Sequence, residues 1–255
     1  MSGSPLIIAH RGASRHAPEN TLTAIRLAVE FGADGIEIDL RLARDGVPVA
    51  IHDADLLRTG GISKKVRDMA SAEMARVDVG SWFDRKYGRP GIRQFEGETV
   101  PLLDDVLQLL VGFEGLLYLE LKCEPRDMKP LVKAVCERIR NSPMLPRIIV
   151  KSFDLNAIGL VKQNFPAVQT AALFGPDMQF LLKRRRYLVD LARQNEADQL
   201  SVHRSLVTRG LMLAADSAKM PVTVWTVDDK RWINKAQKLG IRALITNDPS
   251  ALGKP

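Results

Sequence analysis

The chain has 255 residues, of which 45% are hydrophobic and 26% charged, a globular composition that excludes a disordered, collagen-like or coiled-coil chain. Its apolar runs, such as Leu6–Ala9 and Ala171–Phe174, fall far short of the roughly 18 residues a membrane span needs. Lysine and arginine total 37 against 30 acidic residues, and the resulting net charge of +7 suits anionic partners (nucleic acid, a membrane surface, phosphorylated metabolites) without choosing among them.

Short β-branched runs predict strands at Leu6–His10, Gly35–Leu42, Val47–His52, Leu116–Lys122, Ile148–Phe153, Thr170–Phe174, Gln199–His203, Val222–Val227 and Ala243–Thr246. Helical spacing fills most of the gaps. In Thr21–Phe31 the residues Leu22, Ile25, Leu27, Ala28 and Val29 cover one face, with Gly32 as the stop. Asp154–Asn164 opens on a capping aspartate, and Asp229–Leu239 ends in Gly240. Eight such strands plus one extra favour a closed (β/α)8 barrel, a fold of about 250 residues, over an open sheet. The alternation breaks from about 54 to 100. That segment carries Arg58-Thr-Gly-Gly61, a short helix at Ser71–Val77 and a Gly/Pro-rich patch at Gly88–Gly97, and it reads as an insertion over one barrel face within a single domain, 1–255. The run Lys183–Arg186 reads as a solvated helix face. Without interleaved aromatics or a recognition motif, nucleic acid is not the expected partner. Only Cys123 and Cys136 are present and the N-terminus has no leader pattern, so the expected location is cytoplasmic.

Alternation within a strand puts Glu37 and Asp39 on one face of Ile36–Leu40 and the apolar residues on the other. Two carboxylates on a buried face need a cation or several donors; an edge strand with a solvated face is the plainer alternative. Glu120 and Lys122 repeat the arrangement, either as a structural ion pair or as the third part of a cluster. Three carboxylates together make an all-oxygen set suited to Mg²⁺ or Ca²⁺, with Mn²⁺ also compatible, whereas zinc would be expected to recruit nitrogen or sulfur. His10 and His52 each end an apolar run, at the strand end where barrel enzymes place their chemistry, and two such imidazoles can supply one base and one acid. Arg11 adds a donor fork suited to phosphate. In Pro18-Glu-Asn-Thr21, Asn20 or Thr21 is the expected helix cap, while Glu19 can orient a catalytic group and Asn20 can donate to a substrate oxygen. His16 and His203 read as structural or surface residues. There is no GxxxxGK[ST] loop and no GxGxxG fingerprint after a strand.

The segment His10-Arg-Gly-Ala-Ser-Arg-His-Ala-Pro-Glu-Asn-Thr21 resembles the opening motif of the glycerophosphodiester phosphodiesterase family. Glu37-Ile-Asp39, Asp45-Gly-Val-Pro-Val-Ala-Ile-His-Asp53 and Glu120-Leu-Lys122 follow in the family's order. Ser152-Phe-Asp154, Val224-Trp-Thr-Val-Asp228 and Thr246-Asn-Asp-Pro249 resemble its later motifs, so the likeness spans nearly the whole chain. The resemblance implies a TIM barrel with a small insertion after the second strand. It also implies divalent-metal-dependent cleavage of a glycerophosphodiester to sn-glycerol 3-phosphate and an alcohol. By matching position, Glu37, Asp39 and Glu120 would bind the metal and His10 and His52 would be the acid/base pair. Arg11 and Lys122 would hold phosphate, Glu19 and Asn20 would support them, and Trp225 would line the glycerol side. Two positions depart from the family pattern. Ala43 stands where Thr is common and Asn247-Asp248 where Asp-Arg is common; both are expected to bear on packing or substrate choice, away from the histidines and the metal.

The nucleophile is left open between the substrate's own glycerol 2-hydroxyl and a water. An alternative substrate class belongs to lipid-active relatives of lysophospholipase D or phosphoinositide phospholipase type. They would need an apolar groove, for which Met69, Met74, Trp82 and Phe83 of the insertion are the candidates.

Overall fold

The computed structural model describes residues 3–88, 91–178 and 186–253. Eleven strands are found among them. They are β1 (Leu6–His10), β2 (Gly35–Leu42), β3 (Pro48–Ala50), β4 (Asp55–Leu56), β5 (Ile62–Lys65), β6 (Leu116–Leu121), β7 (Ile148–Ser152), β8 (Gln169–Phe174), β9 (Gln199–His203), β10 (Val222–Trp225) and β11 (Ala243–Thr246). Nine form one sheet in the order β1-β11-β10-β9-β8-β7-β6-β2-β3, and β1 also pairs with β2, so eight parallel strands close on themselves. The ninth, β3, lies antiparallel on β2 outside the ring. The barrel expectation is met, and the strand that the pattern left over is β3.

Helices return the chain between strands along the outside. Helix Leu22–Glu30 starts where the Thr21 side chain accepts from the Ala24 amide, so Thr21 is the cap. Asp154 caps Leu155–Asn164, and Gly240 stops Arg231–Leu239 at φ 70°. The outward face of β2 (Ile36, Ile38, Leu40) is fully buried in one apolar cluster with Ile25, Ala28, Leu103 and Val106. Truncating such a leucine to alanine costs about 2–5 kcal/mol.

Inside the ring the lower layer is apolar, built from Ile8, Tyr118, Ile149, Ala171, Ala243 and Ile245. Parallel register then decides what lies above it. His10 faces Glu37 across β1–β2, Asp39 faces Glu120 across β2–β6, and Glu120 faces Lys151 across β6–β7. The polar residues thus gather at the C-terminal ends of the strands, on top of a packed interior.

The segment from 54 to 100, apart from residues 89 and 90, which lie outside the described residues, folds as the β4–β5 hairpin followed by short helices at Ser71–Met74 and Ser81–Tyr87. Met69 and Met74 are buried in a cluster with Val49, Leu56 and Val66, and Phe83 is buried against Phe95, Ala17 and Ala24 with Trp82 packed beside it. Met69, Met74 and Phe83, suggested by sequence for a lipid-facing groove, are therefore buried where this segment packs on the barrel, and Trp82 is half-buried beside Phe83. Of the run Lys183–Arg186, residues 183–185 lie outside the described residues; Arg186 precedes helix Tyr187–Gln194. No helix among the described residues is long and apolar enough to cross a membrane.

Candidate active site

Glu37, Asp39 and Glu120 are buried, and one carboxylate oxygen of each lies within 4.8 Å of the others. Three cations surround them. Lys151 Nζ is 2.8 Å from Glu37 Oε1 and 3.2 Å from Glu120 Oε2. Lys122 Nζ is 3.2 Å from Asp39 Oδ1 and 2.5 Å from Glu120 Oε1, and Arg11 Nε is 3.1 Å from Asp39 Oδ2. Three negative charges thus meet three positive ones, which is what makes their burial tolerable. Burial alone would raise the carboxyl pKa values. Arg11 and Lys122 outweigh it at Asp39, and Lys151 outweighs it at Glu37, so both stay below the usual carboxylate range. Lys151 in turn keeps its proton, because Glu37 and Glu120 overcome the penalty of burial.

The loop after β1 is shaped around this cluster. Arg11 adopts a left-handed backbone at φ 57°, a conformation that costs a non-glycine residue about 1 kcal/mol or more. It is held there by its amide, which donates to Glu37 Oε2 at 3.1 Å, and by its carbonyl, which accepts from the Asn20 amide at 3.0 Å. Gly12, at φ 78°, passes so close to helix Leu22–Glu30 that a Cβ would meet the Ala24 carbonyl carbon at 2.6 Å. Asn20 uses both ends of its amide on Asp39: Nδ2 donates to Oδ2 at 3.0 Å and Oδ1 accepts from the Asp39 amide at 3.1 Å.

His10 and His52 stand at the rim in different settings. His10 Nδ1 is 2.7 Å from Asn247 Oδ1, and its Nε2 is 3.9 Å from Glu37 Oε2. Asn247 Nδ2 donates to Asp228 Oδ2 at 2.8 Å. The expectation that the Asn247-Asp248 departure stays away from the histidines is therefore corrected. Barrel closure brings β11 beside β1, so Asn247 contacts His10, and Asp248 Oδ1 lies 3.0 Å from His16 Nε2. Desolvation by burial lowers the His10 pKa, outweighing the opposing pull of Glu37.

His52 Nδ1 is 2.7 Å from Asp53 Oδ1. Arg58, from the insertion, donates to Asp53 Oδ2 at 2.6 Å and to both oxygens of Glu19 at 2.9 and 2.7 Å, while Glu19 Oε1 also accepts from Arg11 at 2.7 Å. Arg41 donates to the His52 carbonyl at 2.8 Å. Burial would raise Glu19 and Asp53, but the hydrogen bonds from Arg58 prevail and hold both below their ordinary values.

Trp225, at the end of β10, packs edge-on against Phe153 at 5.6 Å and against His203 at 5.2 Å, and Lys122 lies over the Phe153 ring. This aromatic group gives the rim an apolar patch beside the cations. His203 otherwise bonds Ser205.

Sequence reasoning missed Lys151, Asn247, Asp228 and Arg58 as parts of the site. Asp228 and Asn247 stood in segments noted for their family likeness but were given no role there, and Lys151 carried a signal of its own. A lysine two places after the inward Ile149 of an apolar strand must share the barrel interior.

A hard cation would fit here. Glu37 Oε1, Asp39 Oδ1 and Glu120 Oε1 accept no aligned hydrogen bond, although each has a lysine ammonium at ion-pair distance, and all the donors are oxygen. Beside them lie two imidazoles and an arginine fork, a combination able to bind a phosphate ester and move protons around it.

The chain matches the model of the glycerophosphoryl diester phosphodiesterase family over residues 10–251. A glycerophosphodiester phosphodiesterase of Caldanaerobacter subterraneus subsp. tengcongensis is 31% identical over 254 residues, which is 97% of this chain and 96% of that protein. An Oleispira antarctica phosphodiesterase, solved with its product sn-glycerol-3-phosphate, superposes with a TM-score of 0.84 at 26% identity, covering 98% of this chain and 95% of the other. The glycerophosphodiester phosphodiesterase of Agrobacterium tumefaciens superposes with a TM-score of 0.78 at 28% identity, covering 97% and 98%. The family match begins at His10 and runs past Asn247, taking in every residue of the site described above, and on that ground the chain belongs to the glycerophosphoryl diester phosphodiesterase family.

Proposed function

We propose that the protein hydrolyses glycerophosphodiesters to sn-glycerol 3-phosphate and an alcohol. The observation that carries this reading is the convergence of three buried carboxylates with His10 and His52 at one end of the barrel, in a member of this family. Glu37, Asp39 and Glu120 would hold one divalent cation, Mg²⁺ or Ca²⁺, with Mn²⁺ also suited to the all-oxygen set. Bound there, the cation would polarise the phosphoryl oxygens and offset their charge.

The chain's own residues do the rest. Arg11 and Lys122 place positive charge beside the diester, where it gains most as charge builds in the transition state. One histidine removes the proton from the nucleophile, either the glycerol 2-hydroxyl or a water, and the other returns one to the leaving alkoxide; with the 2-hydroxyl as nucleophile, a water then opens the cyclic phosphate to sn-glycerol 3-phosphate. Asn20 keeps Asp39 oriented, and Glu19 holds the Arg11 guanidinium in place. Trp225 lines the side that receives the glycerol. The chain acts as one barrel domain, 1–255, that carries the 54–100 segment as an inserted subdomain. Two cysteines, Cys123 and Cys136, are too few for a disulfide framework in a chain of this length, which supports a reducing, cytoplasmic setting.

The test is release of sn-glycerol 3-phosphate from a panel of glycerophosphodiesters and one long-chain lysolipid, with and without chelator. Release from the water-soluble diesters that stops on chelation is the expected result. Activity confined to the lysolipid, or undiminished by chelator, would overturn the substrate or the cofactor assignment respectively. A 2-deoxy substrate turned over at full rate would exclude attack by the glycerol 2-hydroxyl.

A further inference from the structure

We infer that Asn247, held by Asp228, is the positioning residue that fixes the tautomer of His10, leaving the Nε2 lone pair facing the carboxylate centre. The inference rests on the proposed hydrolysis for its purpose, but not for its geometry.

Asp228 sets the direction of the Asn247 amide. Its Oδ1 accepts from the Thr246 hydroxyl at 2.9 Å and from the Asn247 backbone amide at 2.8 Å. Its Oδ2 receives the Asn247 side chain at 2.8 Å. An ionised carboxylate only accepts, so the end of the amide turned toward it must be the NH₂. The carbonyl end then faces the opposite way. There Asn247 Oδ1 lies 2.7 Å from His10 Nδ1 and accepts from the Ser14 hydroxyl at 3.2 Å.

A carbonyl oxygen cannot donate, so His10 Nδ1 must carry the hydrogen. In its neutral form the imidazole has one N–H, so that form of the ring has Nε2 bare. The competing arrangement is also in reach. Glu37 Oε2 stands 3.9 Å from Nε2, and without Asn247 it is the acceptor that would draw the hydrogen to that side. A ring with Nε2–H can donate to Glu37 but cannot take a proton from a hydroxyl at that atom. The opposition between Asn247 Oδ1 and Glu37 Oε2 across one ring thus decides whether His10 can serve as a base at Nε2. When Nε2 accepts a proton, the imidazolium keeps its Nδ1–H bond to Asn247, and the ring does not turn.

The readout is ¹⁵N NMR of histidine-labelled protein, which separates N–H from bare ring nitrogens. The chain has four histidines, and comparison with His10→Gln assigns the signal. Wild type should show hydrogen on Nδ1 of His10. Asn247→Leu should move it to Nε2 and lower kcat by about 100-fold with little change in KM. Because that variant can also disturb the loop, the exchange variant Asn247→Asp with Asp228→Asn is the second test. It keeps one amide and one carboxylate, again presents an acceptor to Nδ1, and should restore both the Nδ1–H signal and most of the rate. Hydrogen on Nε2 in the wild type, or an exchange variant whose tautomer is right and whose rate stays at the Asn247→Leu level, would overturn the inference. A wild type with the stated tautomer that turns over no glycerophosphodiester would sink the proposed activity instead and leave the tautomer assignment standing.

Discussion

The carboxylate centre and the rim around His52 hold comparable numbers of charges but in opposite ways. At the centre, Glu37, Asp39, Glu120 and Lys151 are almost wholly buried and sit on barrel strands, where backbone pairing fixes each one against its neighbour. At the rim, Asp53 and Glu19 lie on loops and Arg58 on the short helix Leu57–Gly60 between β4 and β5, and the Arg58 side chain is 41% exposed. Each charge at the centre must be matched by another charge, because no water can compensate a missing partner. At the rim water can substitute, so ion pairs there orient groups more than they stabilise the fold. The centre therefore sets what can bind, and the rim sets how well the His52 end is aimed.

The largest effects should come from breaking the centre. Glu37→Gln keeps the shape but leaves Lys151 with one counterion fewer, and Lys151→Met leaves Glu37 and Glu120 facing each other. Each should lose about 3–5 kcal/mol in urea unfolding without divalent cation. The two should diverge when Mg²⁺ is added. Lys151→Met gains more thermal stabilisation from the ion than wild type does, and Glu37→Gln gains less. Equal responses would show that Lys151 does not share its oxygens with the ion.

His52→Ala is the next largest effect and should fall on rate alone. The side chain is one-third exposed, so the fold should change little, while turnover drops about 10²–10⁴-fold. A stable variant with near-normal turnover would break the assignment of His52.

Arg58→Gln sharpens the contrast. Loss of its bonds to Glu19 and Asp53 should cost under about 1 kcal/mol, yet lower kcat by about tenfold through the loosened His52. A large loss of stability would place the rim in the same class as the centre.

The smallest effect is on pH dependence. Glu19 and Asp53 bind protons less readily folded than unfolded, so the stability they contribute is complete above their ordinary values of 4.5 and 3.8 and is lost as pH falls through the lower folded values. Urea unfolding should show wild type losing stability below about pH 4.5, with Arg58→Gln losing less over the same range. Identical slopes would show that Arg58 does not hold these carboxylates ionised.

Much of the molecule was legible before any tertiary contact was known. Alternating β-branched runs and helical spacings are local patterns, so the strands, the caps at Thr21 and Asp154 and the odd segment after β3 could be read from neighbouring residues. Alternation also put Glu37 with Asp39, and Glu120 with Lys122, on one face each. The lipid-facing reading of Met69, Met74 and Phe83 failed because an apolar residue in an irregular segment has the same spacing whether it faces lipid or the barrel.

Taken alone, the sequence determined the barrel class, the inward carboxylates and the strand-end position of His10, because period and strand position are properties of a short stretch of chain; His52 instead lies two residues past β3, which runs antiparallel outside the ring. Which side chain meets which was decided only by closure of the ring. Register across β6–β7 put Lys151 against Glu120, the β1–β11 seam put Asn247 on His10 across 237 positions, and the inserted hairpin carried Arg58 to Asp53 and Glu19. A face can be read from alternation, but a partner depends on how strands far apart in the chain are staggered against each other, and that stagger is set by packing the whole barrel.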